Sequence, residues 1–380
     1  MSPTVAVPGK VLEGIVQISV GLAHVCAVTR THEIVCWGDN SAGQLGVGRN
    51  MRTVAGQLLQ PHVVGGLPPM TQVAAGTMHT CGITDQGAVW CWGSAGGDLK
   101  QSIGGASGSI ELRGSALGTP VPMALGDGPA QLVALAPQGN SACAVFAGDV
   151  RCWNTFQAIP INASTAPGPN AQITQLAGVT AIALSHGKVC AVAPRGLWCW
   201  HDNQQPTLVT WRIATKLAPV NISLGQMYAC TLFATGPARC WQSLIDDFWQ
   251  RPPTHTLAWR GQTTTRAIAV GDSPICSVDA NGQVDCFLSD EAGLTDDAAA
   301  ASWATTTLGP NPIAGVDAAV AVGLGAGRNV MGYGFGCALR TATAANRAEV
   351  MCWGDNESGQ LGHGDTDATL SAVPVLAATE

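Results

Sequence analysis

Fourteen cysteines divide this 380-residue chain into seven pairs, and no other feature restricts its fold so strongly. The pairs are Cys26 with Cys36, Cys81 with Cys91, Cys143 with Cys152, Cys190 with Cys199, Cys230 with Cys240, Cys276 with Cys286, and Cys337 with Cys352. Within pairs the offsets are 10, 10, 9, 9, 10, 10 and 15 residues, and the first cysteines step by 55, 62, 47, 40, 46 and 61. Steps of that size mark solenoids, propellers and arrays. Flanking residues repeat as well. Glycine stands five positions before the first cysteine at Gly21, Gly76, Gly225, Gly271 and Gly332, and a ring-bearing residue stands two before it at His24, His79, Tyr228 and Phe335. Tryptophan follows the second cysteine at Trp37, Trp92, Trp153, Trp200, Trp241 and Trp353, with Phe287 in the remaining place. One large ring per repeat at one position is what a repeated core layer needs.

Each repeat reads as strands. A segment such as IVQISVG alternates apolar and polar residues before the first cysteine. A short run (CAVT, CGIT) follows, then a turn, then a second run such as EIVCW or AVWCW. Asp85-Gln86-Gly87 and Ala280-Asn281-Gly282 place glycine third, which suits a three-residue hairpin loop with a left-handed last position. Ala147-Gly148 suits a two-residue turn, and Pro61–Val64 and Val373–Val375 suggest a fourth strand. No amphipathic helix of normal length is visible. Directly opposed residues of a hairpin have β-carbons close enough to bridge, so offsets of 9 or 10 about a short turn predict seven hairpin disulfides. Chain entropy assigns about 2.5–3 kcal/mol to a ten-residue loop, less a discount because hairpin ends already lie near each other when unfolded. Other readings compete. Zinc sites use C-x-x-C spacing, which is absent, and intermolecular bridges fit poorly with an even count in every repeat. Reduced, buried cysteines acting as small hydrophobes are the serious rival.

Composition narrows the function classes. The net charge is −7 with a pI near 5.5, and only 18 Lys and Arg are present, which argues against nucleic acid as a partner. Hydrophobic residues reach 46% and charged ones 11%, so the chain is not a disordered one. No apolar run is long enough for a membrane span. The opening MSPTVAVPGK lacks the basic segment and apolar core of a signal peptide, which conflicts with the oxidising compartment that disulfides imply.

No H-E-x-x-H, G-x-S-x-G, P-loop or dinucleotide fingerprint occurs. His24 and His79 follow the repeat and read as packing residues, while His32, His62, His186, His201 and His255 share no spacing and His363 lies in a Gly-rich loop. Asp246-Asp247 and Asp296-Asp297 read as solvated loop charge. Asp365-Thr366-Asp367 lacks the further ligands of a calcium loop. No catalytic residue, metal site or cofactor is therefore expected. Glycosylation sequons stand at Asn162, Asn221 and Asn356, the last inside a repeat loop that makes its use doubtful.

The segment Cys36-Trp37-Gly38-Asp39-Asn40-Ser41-Ala42-Gly43-Gln44-Leu45-Gly46-Val47-Gly48 recurs as Cys352-Trp353-Gly354-Asp355-Asn356-Glu357-Ser358-Gly359-Gln360-Leu361-Gly362-His363-Gly364. Together with GLAHVCAV and GTMHTCGI it resembles the regulator of chromosome condensation repeat, and the cysteine pairs point to a secreted or crinkly-type receptor ectodomain branch. The resemblance implies an all-β, seven-bladed propeller of four-stranded antiparallel blades in a strand-closed ring. The loop is complete only in the first and seventh repeats; the third to sixth keep the cysteines and the aromatic but lose it. Nucleotide exchange and chromatin docking, known in this family, are not carried over, because no segment matches the residues for them.

A single domain spanning 1–380 is expected, with repeats 15–68, 69–130, 131–179, 180–219, 220–264, 265–315 and 316–380. Residues 1–14 are expected as a closing strand, Thr4–Glu13 pairing into the seventh blade, and Thr369–Ala378 also resembles a last strand. The expected function is a non-enzymatic, extracellular or periplasmic protein-binding scaffold. Its variable surface would be the inserts Gly93–Gly118, Ala163–Gln172, Gln242–Gln262 and Ser289–Pro312. A carbohydrate or cell-wall binder is the alternative, using tryptophans outside the repeat register. Trp211, Trp249, Trp259 and Trp303 are the candidate binding residues, and Trp90 and Trp198 share that off-register status. An ectodomain fragment of a receptor kinase is a further alternative.

Overall fold

A computed structural model describes residues 9–48, 56–93, 118–123, 125, 128–137, 139, 141–154, 176–201, 206–209, 218–226, 228–236, 238–242, 264–271, 274–288, 311–325, 334–341 and 348–378. Their strands form seven antiparallel sheets, each built from consecutive sequence. Blade 1 holds β1 (Ile15–Val20), β2 (His24–Thr29), β3 (Ile34–Asp39) and β4 (Gln57–Val63). Blade 2 holds β5 (Met70–Ala75), β6 (His79–Thr84), β7 (Val89–Gly93) and β8 (Val121–Pro122). Blade 3 shows β9 (Leu132–Leu135), β10 (Ser141–Val145) and β11 (Val150–Asn154). Blade 4 holds β12 (Ala181–Ser185), β13 (Lys188–Ala193), β14 (Gly196–His201) and β15 (Thr207–Leu208). Blade 5 shows β16 (Pro219–Leu224), β17 (Tyr228–Phe233) and β18 (Arg239–Gln242). Blade 6 holds β19 (Thr265–Val270), β20 (Pro274–Asp279), β21 (Val284–Leu288) and β22 (Asn311–Pro312). Blade 7 holds β23 (Ala319–Leu324), β24 (Phe335–Thr341), β25 (Ala348–Gly354) and β26 (Thr369–Pro374).

The first strands touch in a closed cycle: β1 to β5, β5 to β9, β9 to β12, β12 to β16, β16 to β19, β19 to β23, and β23 back to β1. The sheets therefore stand around an axis lined by their first strands, as a seven-bladed propeller. Packing blades in a ring covers both faces of each sheet and shelters its edges. The second strands show the consequence. They are buried at nearly every position (HVCAV in β2, KVCAVA in β13), because a neighbouring blade presses on each face.

Each of the seven blade interfaces has its own hydrophobic cluster. The Cys-Trp dipeptide organises them. Adjacent residues of a strand point to opposite faces. So the cysteines of a blade enter the interface ahead, and its tryptophan enters the interface behind. Cys26 and Cys36 lie in one cluster with Trp92 of blade 2, and Cys81 and Cys91 lie with Trp153 of blade 3. The same holds for Cys143 and Cys152 with Trp200, and for Cys190 and Cys199 with Trp241. At the seam between last and first blades, Cys337 and Cys352 lie with Trp37.

The seam takes a different form from an inserted N-terminal strand. Sheet 7 draws all four strands from the C-terminal sequence, because β26 already pairs with β25 at Met351↔Pro374 and Cys352↔Val373. A strand edge carries one row of donors and acceptors, and β26 occupies it. The N-terminal segment lies alongside through isolated bridges, Val11↔Leu376 and Glu13↔Glu349. Its backbone hydrogen bonds run from Leu12 N to Val375 O (2.8 Å) and from Gly14 N to Ala348 O (3.1 Å). No ladder joins the first and last sheets among the described residues; side-chain packing and isolated hydrogen bonds hold the seam together.

Candidate functional site

The hairpin pairs place each first cysteine directly opposite its second, as in Cys26↔Cys36, Cys143↔Cys152 and Cys337↔Cys352. The structure joins Cys26–Cys36, Cys81–Cys91, Cys143–Cys152, Cys190–Cys199, Cys230–Cys240, Cys276–Cys286 and Cys337–Cys352 as disulfides, leaving no free cysteine. Their Cα atoms lie 4.0–4.2 Å apart, the close spacing of opposed hairpin residues. In blade 7 the longer hairpin alone accounts for the 15-residue offset.

The two complete Gly-rich loops follow β3 and β25, and they act as clasps between blades. Asn40 Oδ1 accepts from Leu45 N (3.1 Å) and Gln44 Oε1 from Ala42 N (2.8 Å). Asn356 Oδ1 and Gln360 Oε1 make the same bonds to Leu361 N (2.9 Å) and Ser358 N (2.8 Å). These side chains supply the backbone partners that a buried irregular loop lacks. Leu45 and Leu361 are thereby held in the core. The carbonyl left free is aimed at the next blade: Gln44 O accepts from Trp92 Nε1, and Gln360 O from Trp37 Nε1, both at 2.9 Å. The last loop glycine then donates to the outer segment of that blade, Gly48 N to Gly118 O (2.7 Å) and Gly364 N to Leu59 O (3.1 Å). Gly46 (φ 71°) and Gly362 (φ 69°) have no room for a β-carbon, which would meet Trp92 Nε1 or Trp37 Nε1 within 2.9 Å. The loops thus tie blade 1 to blade 2, and blade 7 to blade 1 across the seam.

His24 and His79 are buried, and strand alternation aims each with the cysteine two residues on, His24 into the interface of blades 1 and 2 and His79 into that of blades 2 and 3. His24 Nε2 lies 2.9 Å from Thr80 Oγ1, whose hydroxyl donates to Gln44 O (2.8 Å). Thr80 must therefore accept from His24, which is held as the neutral Nε2–H tautomer. Burial pushes His24 down to about 3, with neighbouring His79 adding to the effect. Burial alone pushes His79 down to about 4. Each ring lies over its glycine: a β-carbon on Gly21 would meet His24 Cε1 at 2.6 Å, and one on Gly76 would meet His79 Cε1 at 2.8 Å. That couples two motifs the sequence shows separately. In blade 7 the glycine that meets Phe335 is Gly325: Gly325 N donates to Phe335 O (2.9 Å), as Gly21 N does to His24 O (2.9 Å). Gly332 lies outside the described residues.

The other histidines do not converge. His32 Nδ1 lies 3.1 Å from Met70 O, His62 Nδ1 lies 3.1 Å from Gln60 O, and His363 pairs with Asp365 at 3.0 Å. Asp365 Oδ1 accepts from Asp367 N (2.8 Å) and Asn356 Nδ2 (3.2 Å), so the acidic pair organises its own turn. Asn356 is fully buried with its amide engaged, which closes it to glycosylation. No group of three or more metal-ligating side chains occurs among the described residues. Trp90 and Trp198 are half-buried and packed against the interface cores. Trp211, Trp249, Trp259 and Trp303 lie outside the described residues, as do His255, Asn162, Asp246-Asp247 and Asp296-Asp297.

A family model described as Regulator of chromosome condensation (RCC1) repeat matches residues 33–83, and a second model of the same description matches residues 15–44. Residues 15–83 thus carry regulator of chromosome condensation repeats. Human probable E3 ubiquitin-protein ligase HERC4 is 38% identical over 79 residues, 21% of this chain and 7% of that protein. The chain thus spans a small fraction of the curated relatives it matches. Among solved structures, Prp20p of Saccharomyces cerevisiae is similar with a TM-score of 0.62 at 17% identity, covering 96% of this chain and 90% of that one. The CRINKLY WD40 ectodomain of the Arabidopsis thaliana receptor kinase ACR4 is similar with a TM-score of 0.51 at 17% identity, covering 90% of this chain and 96% of that one. Those likenesses establish the propeller fold.

Proposed function

We propose that this protein is a non-enzymatic protein-binding scaffold working in an extracellular or periplasmic setting. One observation carries the reading: all fourteen cysteines are paired, one bridge within each blade. Such pairing belongs to oxidising compartments. The likeness to a receptor-kinase ectodomain supports the setting, and the description of Prp20p with its binding to Gsp1p and histones supports protein as the partner class. The inserts give the surface. β7, β11, β14, β18 and β21 all run toward the loop end of the ring, the end that carries the clasps, and the long inserts depart from there. A rigid ring holding divergent loops is a recognition device.

The test is affinity capture from the native extracellular fraction with the intact, oxidised chain. A specific partner that is lost when Gln242–Gln262 or Ser289–Pro312 is replaced by a short linker is the expected result. Recovery of no partner overturns the reading. Glycan-array binding abolished by Trp249→Ala or Trp259→Ala makes the ligand a carbohydrate instead. Intact mass with and without reductant checks the compartment argument, with a gain of about fourteen mass units expected for seven bridges.

A further inference from the structure

The end of the ring opposite the inserts carries a circular array that no repeat motif announces. Where the first strand begins, its pairing with the second slips by one residue in five blades: at Ile15/Gln17, Met70/Gln72, Pro219/Asn221, Thr265/Ala267 and Ala319/Ala321. Such bulges re-aim a side chain. The residues set free are Val16, Thr71, Val220, Arg266 and Val320. In blades 3 and 4 the equivalent places, just before Leu132↔Val145 and Ala181↔Val192, are Gln131 and Thr180. All seven side chains are exposed. The first strands line the axis, so these residues ring one mouth of the channel.

The chemistry of the ring is uneven. Val16 (51% exposed), Val220 (44%) and Val320 (43%) are three of the six large apolar side chains exposed among the described residues. Thr71 and Thr180 turn their hydroxyls back on their own blades, to Ile83 O (3.2 Å) and Val192 O (3.5 Å). Arg266 is the one charged member, cationic in a chain of net charge −7. No ion pair or hydrogen bond holds its guanidinium among the described residues. Nearby carboxylates are engaged elsewhere: Asp279 accepts from Asn281 N and Gln283 N, and Asp317 pairs with Arg340. In ring order, blades 5, 6, 7 and 1 present Val220, Arg266, Val320 and Val16. A free cation is thus flanked by apolar surface on both sides.

We propose that this mouth is a docking collar for a protein segment that presents an apolar side chain beside a carboxylate. The apolar residue seats on the valine arc, and its acidic neighbour meets Arg266. The proposal rests on the protein-binding reading above and adds a second face to it. Exposed apolar surface grouped around a lone charge is the pattern of a recognition site, and charge complementarity sets which segment it accepts.

The test pans a displayed library of linear peptides on the intact, oxidised chain, with counter-selection on the Val16→Lys/Arg266→Glu/Val320→Lys variant. All three positions are exposed, so the variant keeps its fold, which seven intact bridges and an unchanged thermal midpoint verify. The expected peptides carry a large apolar residue next to Asp or Glu. They bind the native chain about tenfold or more tightly than the Arg266→Glu variant, and exchanging the peptide acid for Lys restores binding to that variant. Peptides that bind native and variant chains alike overturn the collar while leaving the scaffold reading intact, since binding then lies elsewhere. Enrichment of no peptide overturns the collar too, with the scaffold reading still decided by partner capture. Self-association of the native chain that the variant loses in sedimentation overturns it in favour of a second copy as occupant.

Discussion

At the scale of single residues, close approach between blades explains positions that look like mere turn preferences. A β-carbon on Gly21 would collide with Gly76 O, and one on Gly225 with Gly271 O. These glycines exist because successive blades crowd together at the axis. Gly46→Ala is expected to cost about 2–4 kcal/mol, from a strained left-handed backbone and a clash with Trp92. Gly65→Ala, with no atom within 4 Å of its added carbon, is expected to stabilise by about 0.4–1 kcal/mol. Urea unfolding of the two variants checks the contrast. The buried histidines set the acid response. Their values fall from 6.5 to about 3 and about 4 on folding, so the unfolded chain binds more protons at acid pH. Their contribution is complete above pH 6.5 and is lost as pH falls toward 4 and 3. His79→Phe, the residue type blade 7 uses at Phe335, is expected to flatten the thermal midpoint between pH 6 and pH 4 relative to the native chain (about the span of the shift). An unchanged slope counts against His79 as its source.

At the scale of the element, the Cys-Trp pair was readable from the chain as a hairpin bridge and a core ring. Its second property was not: the sulfur and the indole serve different interfaces. Strand alternation says only that they diverge, and the neighbouring blade decides what each meets. Exposure separates the bridges. Of the fourteen cysteines, Cys286 alone is only half-buried, and the other thirteen are no more than 7% exposed. Exchange with a reductant requires access to a sulfur. Brief treatment with mild reductant followed by alkylation is therefore expected to label Cys276 and Cys286 first. Peptide mapping that finds another pair first refutes this. The clasp loops show the same split. Their recurrence in repeats 1 and 7 is plain in the sequence, but that they bind Trp92 and Trp37 of the following blades follows only from the ring.

For the whole molecule, the seam decides stability. The N-terminal segment adds hydrogen bonds to blade 7 from Leu12 N and Gly14 N, and Gly14 O accepts from Arg30 N (2.8 Å). Removing residues 1–14 is expected to lower stability by a few kcal/mol, at about 1 kcal/mol per lost hydrogen bond, without changing the far-ultraviolet signature of the sheets. Calorimetry of the truncated chain checks it. Seven repeats, their hairpins and their cysteine partners could be read from the amino-acid order, because strand direction, turn chemistry and side-chain alternation are local properties. The tertiary structure alone decided that Gly325 meets Phe335, that β26 rather than the N-terminus completes the last sheet, and that seven unrelated residues from Val16 to Val320 meet around one opening. Those outcomes depend on how far blades separated by dozens of residues approach one another, a distance that no local pattern encodes.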